Sequence, residues 1–208
     1  MTREPPLKFI EPRSFFAAVE AEMVPLSNEK FFNDPKHQHL RDRWCAGSFG
    51  VGYSLYIEQC SIAMQPLDRT DDVDFFLKVG KPEFPFQTVE VQKPGRRRGH
   101  EYRRPPTLTP YRPAAEGDDG PGWLRSGVKG KLDKHYATAK HLNLLVYANF
   151  NAEQLEWATV AEALAEFEGH FASLWVMAHH VLGSVFSTPE LGAVGKCKAW
   201  CVTRDLSA

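Results

Sequence analysis

The chain has 208 residues, of which 43% are hydrophobic, and its formal net charge is -1 at pH 7. This length predicts one domain with a core of its own, and the balanced charge excludes general attraction to nucleic acid unless basic residues cluster locally. Four cysteines are too few for a disulfide-rich secreted domain, and neither an apolar leader nor a run of about 18 apolar residues is present. We therefore expect a cytoplasmic protein without a membrane span.

Helical patterns occupy the first sixty residues. Ser14 is a candidate N-cap for a short helix, and the sequence Asn33-Asp34-Pro35 is typical of a second helix start. A long helix is predicted over 38–59. It contains glycines that would let it approach a sheet closely, at Gly47, Gly50 and Gly52.

Two alternating segments, at 73–79 and 86–92, predict the strands of an antiparallel hairpin. Asp74 lies on the polar face of the first strand, and Glu90 lies on that of the second. If the two faces coincide, the carboxylates lie side by side and repel each other unless a cation lies between them. Mg²⁺, or Mn²⁺, prefers such oxygen ligands, so the pattern indicates a metal site. The alternative is a solvated hairpin face on which Glu90 pairs with Lys78.

A basic segment rich in proline and glycine follows over 94–126 and predicts a long surface loop. Arginine binds phosphate well, and this loop leaves directly from the strand that carries Glu90. The alternative is a solvated loop whose arginines pair with later acids such as Asp118. The candidate nucleic-acid-binding residues are Arg96, Arg97, Arg98, Arg103 and Arg104.

The C-terminal half predicts a crossover between parallel strands. A helix is predicted over 124–140, and it carries Lys131 and Lys134. The apolar runs at 142–149 and 171–178 are typical of strands buried on both faces, and a helix is predicted between them at 158–169. We interpret 183–208 as a C-terminal extension, in which Cys197 and Cys201 are buried thiols rather than zinc ligands.

This order of elements resembles the PD-(D/E)xK nuclease superfamily over about 38–180. Asp74 and Glu90 match its two acids, and Gln92 stands where the family usually has a lysine. The resemblance implies a restriction-endonuclease-like fold in which the two acids hold Mg²⁺ and Gln92 orients a water. Lys131 or Lys134, from the following helix, would then supply the positive charge.

We therefore expect a single α/β domain over 1–208, with a central mixed β-sheet flanked by helices and a core at about 38–180. The expected function is metal-dependent phosphodiester hydrolysis of DNA or RNA, in an enzyme that the change at Gln92 weakens. The alternatives are a non-enzymatic module that keeps the fold and binds nucleic acid or an acidic protein, and a small protein-interaction domain. The sequence is compatible with either a monomer or a homodimer.

Overall fold

A computed structural model describes residues 6–66, 72–96, 119–134, 139–150, 155–178, 181–192 and 197–198. Within these residues the protein is α/β, with one mixed sheet of seven strands that follow one another in chain order. The strands are β1 (Cys60–Met64), β2 (Phe75–Val79), β3 (Glu83–Gln92), β4 (Asn143–Asn149), β5 (Ser173–Ala178), β6 (Val181–Phe186) and β7 (Cys197–Lys198). The α-helices are α1 (Pro12–Met23), α2 (Asn28–Asn33), α3 (Gln38–Tyr56), α4 (Gly120–Leu132) and α5 (Trp157–Leu164).

The pairing of the strands changes direction twice across the sheet. The strands β1, β2 and β3 pair antiparallel, β3, β4 and β5 pair parallel, and the sheet returns to antiparallel pairing through β6 and β7. Each parallel step needs a crossover, and α4 and α5 provide the two crossovers. The predicted hairpin and the two predicted buried strands with a helix between them are therefore confirmed.

Helices cover both faces of the sheet and enclose two apolar cores. On the first face, α1 and α3 pack over a cluster in which the Phe49 ring contacts those of Phe75, Phe86 and Trp175. On the second face, α4 and α5 cover a cluster of mainly aliphatic side chains. The alternation along β3 follows from this arrangement, because its even-numbered side chains face α3 and its odd-numbered ones face α4.

Two glycines set how closely the helices approach the sheet. A Cβ at Gly50 of α3 would lie 2.2 Å from Ile62 Cδ1, and one at Gly127 of α4 would lie 2.4 Å from Val91 Cγ2. Neither distance is compatible with a larger side chain. The expectation that glycines let the long helix approach the sheet is thus confirmed at Gly50, and Gly127 holds α4 directly over β3.

Three strands, β1, β6 and β7, were not predicted from the sequence. The strand β1 lies beyond Tyr56, where α3 ends, and its neighbouring residues Ile62 and Ala63 are both buried. It therefore lacks the alternation that would have distinguished it from the preceding helix. The strand β6 crosses position 183, where the sequence analysis began a C-terminal extension.

Acidic side chains cap the starts of two helices, α1 and α4. The Glu11 carboxylate accepts from the backbone N–H groups of Arg13 and Ser14, so α1 begins before the predicted cap. Asp119 accepts from the Gly122 N–H at 2.8 Å, and α4 therefore begins inside the segment that was predicted to be loop. None of the helices in the described part of the chain is long and apolar enough to cross a bilayer.

Candidate functional site

Asp74 lies where the pairing between β2 and β3 ends. Phe75 is opposite Phe86, and the Asp74 N–H donates to the Phe86 carbonyl at 2.8 Å. One step farther along, Asp74 Oδ2 accepts from the Thr88 N–H at 2.6 Å. The side chain thus satisfies a backbone donor of β3 just beyond the end of β2. From this point to Gln92, the pairings of β3 within the described residues are with β4.

A second acid and a lysine lie close to Asp74. The pKa of Asp42 on α3 is raised to about 6, chiefly because burial disfavours its charge; a hydrogen bond from Gln38 opposes this rise, and the negative charge of Asp74 adds to it. Burial also raises the pKa of Asp74, which the Thr88 N–H and the Lys131 ammonium lower. Lys131, on α4, lowers the pKa of both acids, so charged side chains from opposite helical layers influence one another near Asp74.

These groups fit a small hard cation. Asp42 and Asp74 are half-buried carboxylates whose charged forms are disfavoured, and Thr88 Oγ1 is buried beside them without a hydrogen-bond partner. Among the described residues, no group of three or more His, Cys, Asp or Glu side chains could hold a metal ion. Two carboxylates and a hydroxyl are oxygen donors of the kind that could hold Mg²⁺, which binds through one or two carboxylates and keeps several waters.

Glu90 lies farther along β3 and is held by amides. Gln92 Nε2 donates to Glu90 Oε1 at 3.1 Å, and Asn149 Nδ2, at the end of β4, donates to the same oxygen. Arg96 Nη1 in turn donates to the Asn149 carbonyl oxygen at 2.6 Å and to its Oδ1 at 3.3 Å. Asn149 therefore joins the carboxylate of Glu90 to the first arginine of the basic segment.

The two predicted acids are not directly opposed, and the polar faces of their two strands do not coincide, because the register pairs Phe75 with Phe86 and so places the odd-numbered side chains of β2 on the face of the even-numbered ones of β3. The β2–β3 register ends at Phe86, and Glu90 lies two residues beyond Thr88, a spacing of about 7 Å along a strand. The expectation that Asp74 and Glu90 lie side by side is therefore wrong. The alternative pairing of Lys78 with Glu90 is also wrong, because Lys78 Nζ lies 3.1 Å from Glu83 Oε1.

Only some of the predicted lysines and arginines in the described part of the chain lie near the site. Lys131 is half-buried and interacts with both aspartates, whereas Lys134 is exposed in the turn that follows α4. Arg96 contacts Asn149 as described above. The other arginines predicted to bind nucleic acid lie outside the described residues, namely Arg97, Arg98, Arg103 and Arg104. Cys201 lies outside them too, and the side chain of Cys197 is not described.

The sequence analysis missed Asp42 and Asn149. Asp42 lies in a helix among other charged residues, where an acid is ordinarily solvated, so it carried no local signal. Asn149 ends the apolar run "LNLLVYANF", and a polar residue at the carboxyl end of a buried parallel strand is a usable signal for a site. No protein-family model, no curated protein and no solved structure matches this chain.

Proposed function

We propose that this protein hydrolyses phosphodiester bonds of nucleic acid with the help of Mg²⁺ or Mn²⁺, in a site formed by Asp42, Asp74, Glu90 and Lys131. The observation that carries the proposal is the convergence of two half-buried aspartates and one lysine at the end of β2. Each raised aspartate pKa indicates a negative charge that the fold alone does not compensate.

The order of the elements supports the same proposal. A helix with Asp42 precedes a strand entered at Asp74, a strand with Glu90, a helix with Lys131 and two further parallel steps. The resemblance to the PD-(D/E)xK superfamily calls for this order, and a restriction-endonuclease-like fold is part of the proposal. Lys131 would replace the lysine that the family usually has at the position of Gln92.

The cation would be held by Asp42 and Asp74. When bound, Mg²⁺ would neutralise charge on the phosphate and lower the pKa of a water. Lys131, which already lies near both carboxylates, would stabilise the charge that develops on the non-bridging phosphate oxygens. Because an ammonium acts there without taking up a proton, its contribution should appear in kcat.

Glu90 would orient the attacking water and accept its proton. Two amide donors, from Gln92 and Asn149, fix Glu90 Oε1 and thereby the plane of the carboxylate. In the sequence analysis Gln92 was expected to orient the water itself, but its amide is directed at Glu90 instead. Arg96, held on Asn149, would place a positive charge beside this carboxylate for the substrate phosphate.

The proposal is tested by incubating the purified chain with labelled single- and double-stranded DNA and RNA, in Mg²⁺, in Mn²⁺ and in EDTA. We expect metal-dependent cleavage by the parent protein and its loss in Asp74→Asn. Glu83→Gln is the matched control, since it removes an exposed acid from the same hairpin.

Two outcomes would contradict the proposal. One is a parent protein that cleaves none of the four substrates with either metal, and the other is an Asp74→Asn protein that cleaves as fast as the parent. Binding of nucleic acid in EDTA without cleavage in metal would instead favour the alternative, a module that keeps the fold and binds nucleic acid without hydrolysing it.

A further inference from the structure

Two half-buried aromatic rings and a lysine form a small surface at the carboxyl ends of β3 and β4. Lys93 follows β3 directly, Phe150 follows β4 directly, and Trp123 lies in the first turn of α4. The Trp123 and Phe150 rings meet edge to face with centroids 5.1 Å apart, and Lys93 Nζ lies 5.7 Å from the Trp123 ring centroid. We call these three residues the aromatic edge.

The aromatic edge adjoins the candidate site through the backbone. Lys93 directly follows Gln92, and Phe150 directly follows Asn149. Gln92 and Asn149 both donate to Glu90, on the α3 side of the sheet. Since successive side chains of a strand point to opposite faces, the aromatic edge lies on the α4 side of the same strand ends.

The chemistry of the aromatic edge favours an unpaired nucleotide. Aromatic rings next to lysine or arginine are the usual elements of surfaces that bind single strands, because bases stack on the rings and the cations attract the backbone. In a duplex, both faces of each base are already covered by stacking. A base on Trp123 would take the place of the Lys93 ammonium, which would remain near a flanking phosphate.

We propose that Trp123, Phe150 and Lys93 form a subsite for an unpaired nucleotide next to the scissile phosphate, so that the substrate class is single-stranded nucleic acid. The proposal rests on the proposed function for the position of the scissile phosphate, but not for binding itself. It can therefore be tested separately, under conditions in which no hydrolysis occurs.

The experiment measures the fluorescence anisotropy of labelled oligonucleotides of roughly 12 nucleotides in EDTA. The probes are oligo-dT, oligo-U and a DNA duplex, so that the DNA and RNA sources of an unpaired base are distinguished. Four variants are compared with the parent: Trp123→Leu, Trp123→Phe, Lys93→Gln and Trp157→Leu. The last is the matched control, because Trp157 is also half-buried but packs on Gly183 of β6, three strands away from β3.

For at least one single-stranded probe, we expect Trp123→Leu to weaken binding roughly tenfold, which corresponds to the loss of one stacked base. Trp123→Phe, which keeps an aromatic ring, should stay within about threefold of the parent, and Trp157→Leu should bind as the parent does. Lys93→Gln should reduce the slope of log affinity against log salt by about 0.7.

Several outcomes would overturn the inference. They are a parent that binds the duplex better than both single strands, a Trp123→Leu protein that binds both single strands as the parent does, and equal losses in Trp123→Leu and Trp157→Leu. Cleavage that persists without any effect of Trp123 on binding would refute the subsite and leave the proposed function standing. Trp123-dependent binding without cleavage in any metal would refute the proposed function and leave the subsite standing.

Discussion

Replacing Asp74 by Asn removes one negative charge from the candidate site and keeps its shape. The amide oxygen can still accept from the Thr88 N–H, which lies 2.6 Å from Asp74 Oδ2. In metal-free buffer at pH 7 we expect the variant to be at least as stable as the parent, because burial disfavours the charge that it loses. Removing that charge should also lower the pKa of Asp42, which the Asp74 charge helps to raise.

The magnitude follows from Asp42. Its pKa of about 6, against an ordinary 3.8, corresponds to about 3 kcal/mol that ionisation of Asp42 costs the fold at pH 7. Burial is the first cause of this cost, and the negative charge of Asp74 is a smaller one, so that removing that charge relieves only part of it. We therefore expect the free energy of unfolding of Asp74→Asn in EDTA to exceed that of the parent by about 1 kcal/mol.

The response to Mg²⁺ should reverse this order. At a concentration a hundredfold above Kd, a cation that binds only the folded chain stabilises it by about 2.7 kcal/mol. For a chain of 208 residues, this corresponds to a rise in Tm of about 5 to 10 °C. Asp74→Asn should lose most of that rise, whereas the Glu83→Gln control should keep it.

The assay is thermal unfolding followed by circular dichroism, in EDTA and across a Mg²⁺ titration, with urea unfolding for the free energies. If Asp74→Asn gains the same stabilisation from Mg²⁺ as the parent, Asp74 is not a metal ligand and the proposed mechanism fails. If the variant is less stable than the parent in EDTA by more than about 1 kcal/mol, the Asp74 charge is compensated in the fold, and the account of its raised pKa is wrong.

Three further changes test other parts of the site. Because the folded chain binds a proton at Asp42 that the unfolded chain has released, the metal-free parent should lose up to about 3 kcal/mol of stability as pH rises from about 4 to 6. Asp42→Asn should remove that loss. If urea unfolding shows that the free energy of unfolding depends on pH in Asp42→Asn as it does in the parent, the reasoning is wrong. Lys131→Met should lower the kcat of cleavage by roughly a hundredfold, and Lys134→Met should leave it unchanged. If the two substitutions lower kcat equally, Lys131 has no special role. Gln92→Lys should change initial cleavage rates by less than about threefold, since Lys131 already supplies the positive charge. A much larger increase would show that Lys131 does not supply it.

Local periodicity in the sequence determined the centre of the sheet. The alternation in β3 places Val89 and Val91 against α4 and leaves Glu90 and Gln92 on the opposite face, as predicted. The continuous apolar runs of β4 and β5 indicated strands buried on both faces, and the helix between them required a parallel pair. These features could be predicted because each depends on the spacing of side chains within a few residues of one another.

The composition of the candidate site was decided by tertiary structure. Asp42 and Asp74 are far apart in the chain, and Lys131 lies in the opposite helical layer. β2 begins only at Phe75, so that β3 extends past it, and Gly127 lets α4, which carries Lys131, pack closely on Val91 of β3. Sequence spacing does not determine where a strand pairing stops or how closely a helix packs, since both depend on contacts between distant segments. The raised aspartate pKa values arise from those same contacts.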